Sequence, residues 1–320
     1  MAPAKGKARA VRLRTDVIAT GRGEGAVIDS QHAFPARLVT MSDHLEHPDR
    51  HGDRRSDHHR GRMVAVVRPA LRAARVALDV LLPPQCLACD ALVSEPGTLC
   101  HACWDGSVFV SAPLCAACGT PFEFDHGPDA LCGACVRDRP RIDRARAVFV
   151  YNDVSRNLAT GLKYRDRTHA APALGDWLAR AGRELLGTAD LIAPVPLHRA
   201  RLWRRRFNQS ALLAQAVARN AARAGTDSGA REPALRLDLL TRVRATPSQG
   251  GLNAAARRSN VRGAFSVTSR HQKAVAGARI LLIDDVFTTG ATLGTCAAAL
   301  LDSGAAAVDA LVLARVERPR

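Results

Sequence analysis

Two groups of residues in this 320-residue chain have types and spacing that could do chemistry: a cluster of cysteines and an acid–threonine run. Eight of the nine cysteines fall between residues 86 and 135 as four Cys-x-x-Cys pairs, namely Cys86/Cys89, Cys100/Cys103, Cys115/Cys118 and Cys132/Cys135. A Cys-x-x-Cys turn sets two sulfurs on one side of a tight loop. Two such knuckles facing each other build the tetrahedral four-thiolate shell that zinc prefers. Taken in chain order, the pairs assign one zinc to Cys86, Cys89, Cys100 and Cys103 and a second to Cys115, Cys118, Cys132 and Cys135; a cross-braced pairing uses the same knuckles. Gly119 and Gly133 offer the backbone freedom such turns use. A closed shell leaves no open position, so these zincs are expected to be structural rather than catalytic. So short a segment buries little apolar surface, and the metal must supply its folding energy, on the order of 10–16 kcal/mol of apparent binding energy. Cys89→Ala is therefore expected to unfold residues 86–110 and leave the C-terminal half folded. Disulfides or a redox role are the alternative, and the lack of an export signal weighs against them.

The second group is Ile280-Leu-Leu-Ile-Asp-Asp-Val-Phe-Thr-Thr-Gly-Ala-Thr292. An apolar strand delivers Asp284 and Asp285, a short turn follows, and a helix begins. Unpaired amides at a helix start face whatever sits there, and the helix dipole favours an anion. The expected cradle comprises Val286, Phe287, Thr288, Thr289, Gly290, Ala291 and Thr292. Its threonine hydroxyls add donors, and Gly290 lets the backbone approach closely. The upstream acids can accept hydrogen bonds from sugar hydroxyls or help to hold Mg²⁺. One segment could thus grip both the phosphate and the sugar of a phosphoribosyl ligand, whereas the plain alternative is an ordinary strand–turn–helix. Cys296, two turns into the helix, reads as a small buried apolar residue.

The elements that must position these groups can be read from periodicity. Residues 147–151, 191–195, 280–283 and 307–316 read as strands, and 154–164, 172–186, 209–224 and 291–303 as helices. Short, continuously apolar strands between helices predict an α/β parallel sheet with helices on both faces. The cysteine segment, 85–140, precedes it, and the sheet region spans 145–320. Residues 63–84 predict an amphipathic helix with Arg68, Arg72 and Arg75 on one face, ended by Pro83-Pro84. Residues 1–62 hold six of the eleven histidines and no sustained periodicity, and read as a disordered extension or one preceding a true start at Met63. The run Gly21 to Gly25 lacks the flanking strand and helix of a dinucleotide loop.

Composition sets bounds. Apolar residues make up 47%, enough for a core, and no uninterrupted apolar stretch is long enough to span a membrane. With no secretory leader, the expected location is cytoplasmic. The formal charge is +16, which two four-thiolate zinc sites would lower to about +12. Only Lys5, Lys7, Lys163 and Lys273 are lysines. An arginine- and alanine-rich chain of this kind often mirrors genomic base composition, so charge alone is a weak sign of a phosphate-bearing partner.

The acid–threonine segment resembles the signature of type I phosphoribosyltransferases. Further stretches extend the likeness: Leu162-Lys-Tyr164, Pro194-Val-Pro-Leu-His198, the arginines 201, 204, 205 and 206 before Phe207-Asn-Gln-Ser210, Thr246-Pro-Ser-Gln249 with Leu252, Arg257-Arg258, and Asn260-Val-Arg-Gly-Ala-Phe265. With the double zinc ribbon in front, residues 75–320 resemble the ComF family, competence-associated phosphoribosyltransferase-like proteins related to GntX. One departure is Arg206, where the family usually has Gly. The resemblance implies a type I phosphoribosyltransferase-like sheet that binds phosphoribosyl pyrophosphate with Mg²⁺, or a nucleotide. Asp284 and Asp285 would then orient the ribose in transfer to a nitrogen acceptor. Lys163, His198, Arg201, Arg257, Arg258 and Arg262 are the candidates for the pyrophosphate. For each a plainer reading stands: His198 could bond backbone at a strand end, and the arginines could form a solvated face. Residues 241–262 read as a basic loop able to close over substrate. A non-enzymatic reading stands beside the enzyme: an adaptor or sensor whose ribbons and basic faces bind single-stranded DNA or DNA-uptake proteins.

Overall fold

The computed structural model describes residues 83–164, 167–228, 232–244 and 263–317. The extension 1–62, the expected helix up to residue 82, and Arg257, Arg258 and Arg262 lie outside the described residues.

The strands are β1 (Ala145–Val150), β2 (Leu191–Pro194), β3 (Ala234–Leu235), β4 (Leu240–Arg242), β5 (Phe265–Val267), β6 (Arg279–Phe287) and β7 (Ala307–Arg315). Five of them form an all-parallel sheet in the order β1-β7-β6-β2-β3, and β4 and β5 pair as an antiparallel ribbon. The helices are α1 (His101–Asp105), α2 (Gly133–Arg137), α3 (Asp153–Tyr164), α4 (Ala171–Ala181), α5 (Arg183–Leu186), α6 (Arg199–Arg205), α7 (Gln209–Ser228), α8 (Gln272–Val275) and α9 (Ala291–Leu301).

Strand residues alternate between faces, and the central strand shows what each face meets. Leu281 and Ile283 of β6 pack with Leu158 of α3, Leu174 and Leu178 of α4, and Leu213 and Val217 of α7. Ile280 and Leu282 pack the other way, with Leu293, Cys296 and Leu300 of α9 and with Leu240, Phe265 and Val267 of the β4–β5 ribbon. Both faces are covered, which is why β6 and β7 read as near-continuous apolar runs. Cys296 is fully buried, as its sequence context suggested.

The topology creates a crevice. From β2 the chain crosses through α7 to β3, and from β6 through α9 to β7, so the two crossovers leave in opposite directions on opposite faces. In open α/β sheets such a switch point opens a gap at the carboxyl ends of the diverging strands, here β2 and β6.

The cysteines form two sequential clusters, Cys86/Cys89/Cys100/Cys103 and Cys115/Cys118/Cys132/Cys135, and the ligand atoms of each lie within 4.8 Å of one another. Sulfurs around a tetrahedral zinc stand ~3.8 Å apart for Zn–S bonds of about 2.3 Å, so both sets fit the metal. The two ribbons repeat each other in detail. Cys100 N donates to Cys86 Sγ and Cys132 N to Cys115 Sγ, each at 3.3 Å. Cys100 caps α1 as Cys132 caps α2. The residue after each first pair is left-handed, Asp90 at φ 66° and Gly119 at φ 67°. Gly119 has a second reason to lack a side chain: a Cβ there would lie 2.3 Å from the Ala145 carbonyl oxygen, where the second ribbon joins β1. Gly133, expected to supply similar freedom, is instead the first residue of a helix and has no positive φ.

The first ribbon is not a detached module. Leu87 and Ala88 are buried in the same cluster as Leu158, Leu174 and Ile283. Trp104, Phe109, Phe149 and Trp177 continue the contact as a ladder of rings with centroids 4.7–5.6 Å apart. Three other features differ from the sequence reading. The expected helix 172–186 breaks at Gly182 into α4 and α5. The arginine run, to which the periodicity assigned no element, forms helix α6. The segment after residue 238 contributes the β4–β5 ribbon to the core.

Candidate functional site

The acid pair stands at the carboxyl end of β6. Asp284 and Asp285 are 8% and 5% exposed, and their carboxyls stay close enough to interact. Asp285 forms an ion pair with Lys163 Nζ. Lys163 is delivered by α3, whose start is fixed by reciprocal bonds between Asn152 and Ser155: Ser155 N donates to Asn152 Oδ1 at 3.0 Å, and Asn152 N donates to Ser155 Oγ at 2.8 Å. This is a capping box, and it sets the helix so that its last turn ends over β6. Burial alone would lower the Lys163 pKa, but the charge of Asp285 reverses this and the net shift is upward.

Asp284 is held differently. Ser210 Oγ donates to its Oδ1 at 2.9 Å. Ser210 opens α7, where Asn208 Oδ1 accepts from Ser210 N and Asn208 Nδ2 donates to the Val195 carbonyl, both at 3.0 Å. One asparagine thereby ties the helix start to the segment after β2. Burial, followed by repulsion from Asp285, pushes the Asp284 pKa up to about 8, while Lys163 pulls it back. Near neutral pH this favours the protonated form of Asp284.

The turn after the acids is shorter than the sequence suggested. Val286 and Phe287 continue β6, in register with Ala314 and Arg315 of β7. The ladder continues because β7 extends as far as β6, and this leaves Thr288 to Thr292 as the turn and helix start. Gly290 caps α9 with φ 75°, the left-handed region that favours glycine. A Cβ at Gly290 would also meet the Phe287 ring at 2.9 Å. No side-chain hydrogen bond caps α9 from this position, and Thr289 Oγ1 accepts from Ala291 N at 3.4 Å. The half-buried turn opens onto a groove of about 1420 Å³ between α9 and the second ribbon, whose walls include Thr289, Gly290, Phe122 and Arg137.

Across the crevice, the segment after β2 enters α6. His198 is its N-cap, with Nδ1 accepting from Ala200 N at 3.3 Å, so the plainer of its two readings describes its contact here. Arg201, Arg204 and Arg205 line a cleft of about 360 Å³ with Tyr164. Arg205 stacks 4.8 Å above the Tyr164 ring and donates to its hydroxyl at 2.9 Å. Arg206, in the place where the family pattern has glycine, ends α6 in the left-handed region at φ 65°.

One residue escaped the sequence reading. Arg242 points inward from the β4–β5 ribbon, 9% exposed and 5.2 Å above the Phe265 ring. Burial and the nearby Arg201 lower its pKa, and Asp284 opposes them. No sequence signal marked it, because the strand that carries it is only three residues long.

The site thus joins two carboxylates, a lysine, a glycine-capped helix start and a set of arginines at one end of the sheet. Such an arrangement can hold an anion at the turn and accept hydrogen bonds from neighbouring hydroxyls.

Residues 77–136 match the double zinc ribbon domain family. The DNA utilization protein YhgH of Escherichia coli (strain K12) is 37% identical over 207 residues, 63% of this chain and 84% of that protein. Competence protein F of Haemophilus influenzae is 31% identical over 224 residues, 68% of this chain and 90% of its own length. Competence protein ComFC of Bacillus subtilis is 25% identical over 250 residues, covering 72% and 94%. A solved structure of the allosteric regulatory enzyme of purine biosynthesis aligns at 21% identity with a TM-score of 0.28, over 48% of this chain and 30% of that one.

Proposed function

The chain belongs to the ComF family of competence and DNA-utilization proteins, and on that premise we propose that it binds a phosphoribosyl compound at the carboxyl ends of β6 and β2. The ligand is phosphoribosyl pyrophosphate with Mg²⁺, or a nucleotide. What carries this reading is the meeting, at the topological switch point, of the acid pair with a glycine-capped helix start and the arginines of α6. The amides and hydroxyls of Thr288 to Thr292 hold the 5-phosphate. Asp285 exchanges its Lys163 partner for ribose hydroxyls, and Lys163 turns to the diphosphate. Asp284, kept in place by Ser210, accepts or donates according to its proton. Arg201 and Arg242 supply positive charge where a leaving diphosphate gathers negative charge.

The donor set fits a metal that arrives on its ligand better than one lodged in the protein: Asp285 is already ion-paired and Asp284 is hydrogen-bonded and largely protonated at pH 7. Asp284 and Asp285 are the carboxylates the site presents to Mg²⁺, and the ion supplies charge neutralisation on the diphosphate. In transfer, the bond from C1 of the ribose to the diphosphate oxygen breaks as the bond to the acceptor nitrogen forms, and the chain contributes by positioning.

A second reading rests on α6. None of its residues is buried, and Trp203 is 88% exposed beside Arg199 and Arg204. An exposed indole among arginines suits a single-stranded DNA adaptor, with bases stacking on the ring. Release of pyrophosphate from phosphoribosyl pyrophosphate plus Mg²⁺ in the presence of a panel of nucleobases separates the two. The transferase reading expects release that Asp285→Asn abolishes. The adaptor reading expects none, with salt-sensitive DNA binding that survives Asp285→Asn and is lost in Trp203→Ala.

A further inference from the structure

Arg315, the last residue of β7, is 3% exposed. Among the described residues no carboxylate pairs with it. Its hydrogen bonds go to the second ribbon instead: Nη1 donates to the Cys118 carbonyl, and Nη2 donates to Thr120 Oγ1 at 2.6 Å and lies 3.8 Å from Cys118 Sγ. Thr120 Oγ1 is itself 3.0 Å from the same sulfur. A buried guanidinium without a counter-charge is costly. Zinc in a four-thiolate shell leaves a net charge of about −2, and Cys118 belongs to that shell, so the ribbon supplies the missing negative charge.

The same guanidinium lies 5.7 Å from the centroid of the Phe287 ring, within cation–π range. Phe287 is buried and fills the space beside Gly290 that a Cβ would need. Cys118, Arg315, Phe287 and Gly290 therefore form an unbroken chain of contacts from the second metal site to the turn before α9. Among the described residues the first ribbon has no equivalent route. Its contacts run to the opposite face of the sheet, through Leu87 and the Phe149 ladder and through Arg167, which donates to the Leu87 carbonyl at 3.1 Å.

We propose that the second zinc site holds the turn Thr288–Thr292 in shape, with Arg315 as the positioning residue that links metal to turn. Zinc loss at Cys115, Cys118, Cys132 and Cys135 then loosens the turn, and weakening Arg315 loosens both the turn and the metal. The inference concerns the order of the turn and stands apart from what the turn binds.

The test is hydrogen–deuterium exchange on the full-length, zinc-loaded chain without ligand, comparing wild type with Arg315→Met, Arg315→Lys and Thr120→Val. The amide that bonds to the turn's own carbonyl, Gly294 N on Gly290 O, is expected to exchange about tenfold faster in Arg315→Met and Thr120→Val, with α4 and α7 unchanged. Arg315→Lys, which keeps the charge and loses the flat stacking surface, falls between. Chelator competition is expected to release one of the two zinc equivalents faster in Arg315→Met. Unchanged exchange at the turn in both Arg315→Met and Thr120→Val overturns the proposal. If Arg315→Met does not fold, Thr120→Val decides alone, since it removes one hydroxyl at nearly constant volume. Exchange needs no ligand, so failure to bind phosphoribosyl compounds would sink the functional reading and leave this one intact.

Discussion

The chemistry of the site turns on two adjacent carboxylates made unequal by their neighbours. Asp285 has a lysine, whereas Asp284 has burial, a serine hydroxyl and the charge next door. The Asp284 pKa is raised from an ordinary value of 3.8 to about 8, so its buried form is stabilising when protonated. That stability is full below the unfolded-state pKa and is lost as pH rises toward about 8. Asp284→Asn removes the dependence. Urea denaturation of both proteins from about pH 5 to about pH 8.5 should therefore show the wild type losing stability relative to the variant, and a difference that stays constant with pH contradicts the burial of this carboxyl. At this scale the sequence was most legible where chemistry is local: the four cysteine pairs and the acid–threonine run declare themselves by spacing. Arg315 and Arg242 did not, because the groups they meet, Cys118 and the Phe265 ring, lie outside their local sequence and no local pattern encodes the contact. Arg206 was noticed only as a departure from glycine. Its left-handed backbone gives the reason glycine suits the position, since other residues there cost about 1–2 kcal/mol.

Elements were legible where periodicity was strong. The strands of β1, β2, β6 and β7 and the helices α3, α7 and α9 stand within a few residues of where the apolar pattern put them. Helix α6 was missed because it buries none of its residues, so there was no apolar stripe to read. The β4–β5 ribbon was missed because each strand is three residues long. The ribbons bring a revision. The sequence suggested that Cys89→Ala would unfold residues 86–110 alone, but Leu87 and Ala88 share a core with α3 and α4. Fully burying a leucine side chain contributes about 1.5–3 kcal/mol, and release of the first ribbon withdraws that contribution from the sheet face. Calorimetry of the zinc-loaded chain should show Cys89→Ala melting as a whole at lower temperature. A sheet transition at the wild-type temperature, with only the ribbon lost, would establish the ribbon as an independent module.

For the molecule as a whole, the arginines gather where the strands end, at α6 and the β4–β5 ribbon, and the acid pair faces them with its charge partly quenched. No helix among the described residues is long and apolar enough to cross a membrane. The second ribbon packs against β1 and β7 and walls the groove beside the turn, so metal sites and candidate ligand site belong to one connected structure. The fold class and the double ribbon followed from pattern and spacing. Their mutual packing did not, because it is written in contacts between distant segments. The central claim is that the carboxyl ends of β6 and β2 grasp a sugar phosphate. Calorimetric titration of the zinc-loaded, full-length chain with phosphoribosyl pyrophosphate and Mg²⁺ tests it most directly. The account predicts saturable binding that weakens at least about tenfold in Asp285→Asn, the loss of a charge-assisted hydrogen-bond acceptor. Absence of binding by the wild type, or equal affinity in the variant, would contradict it.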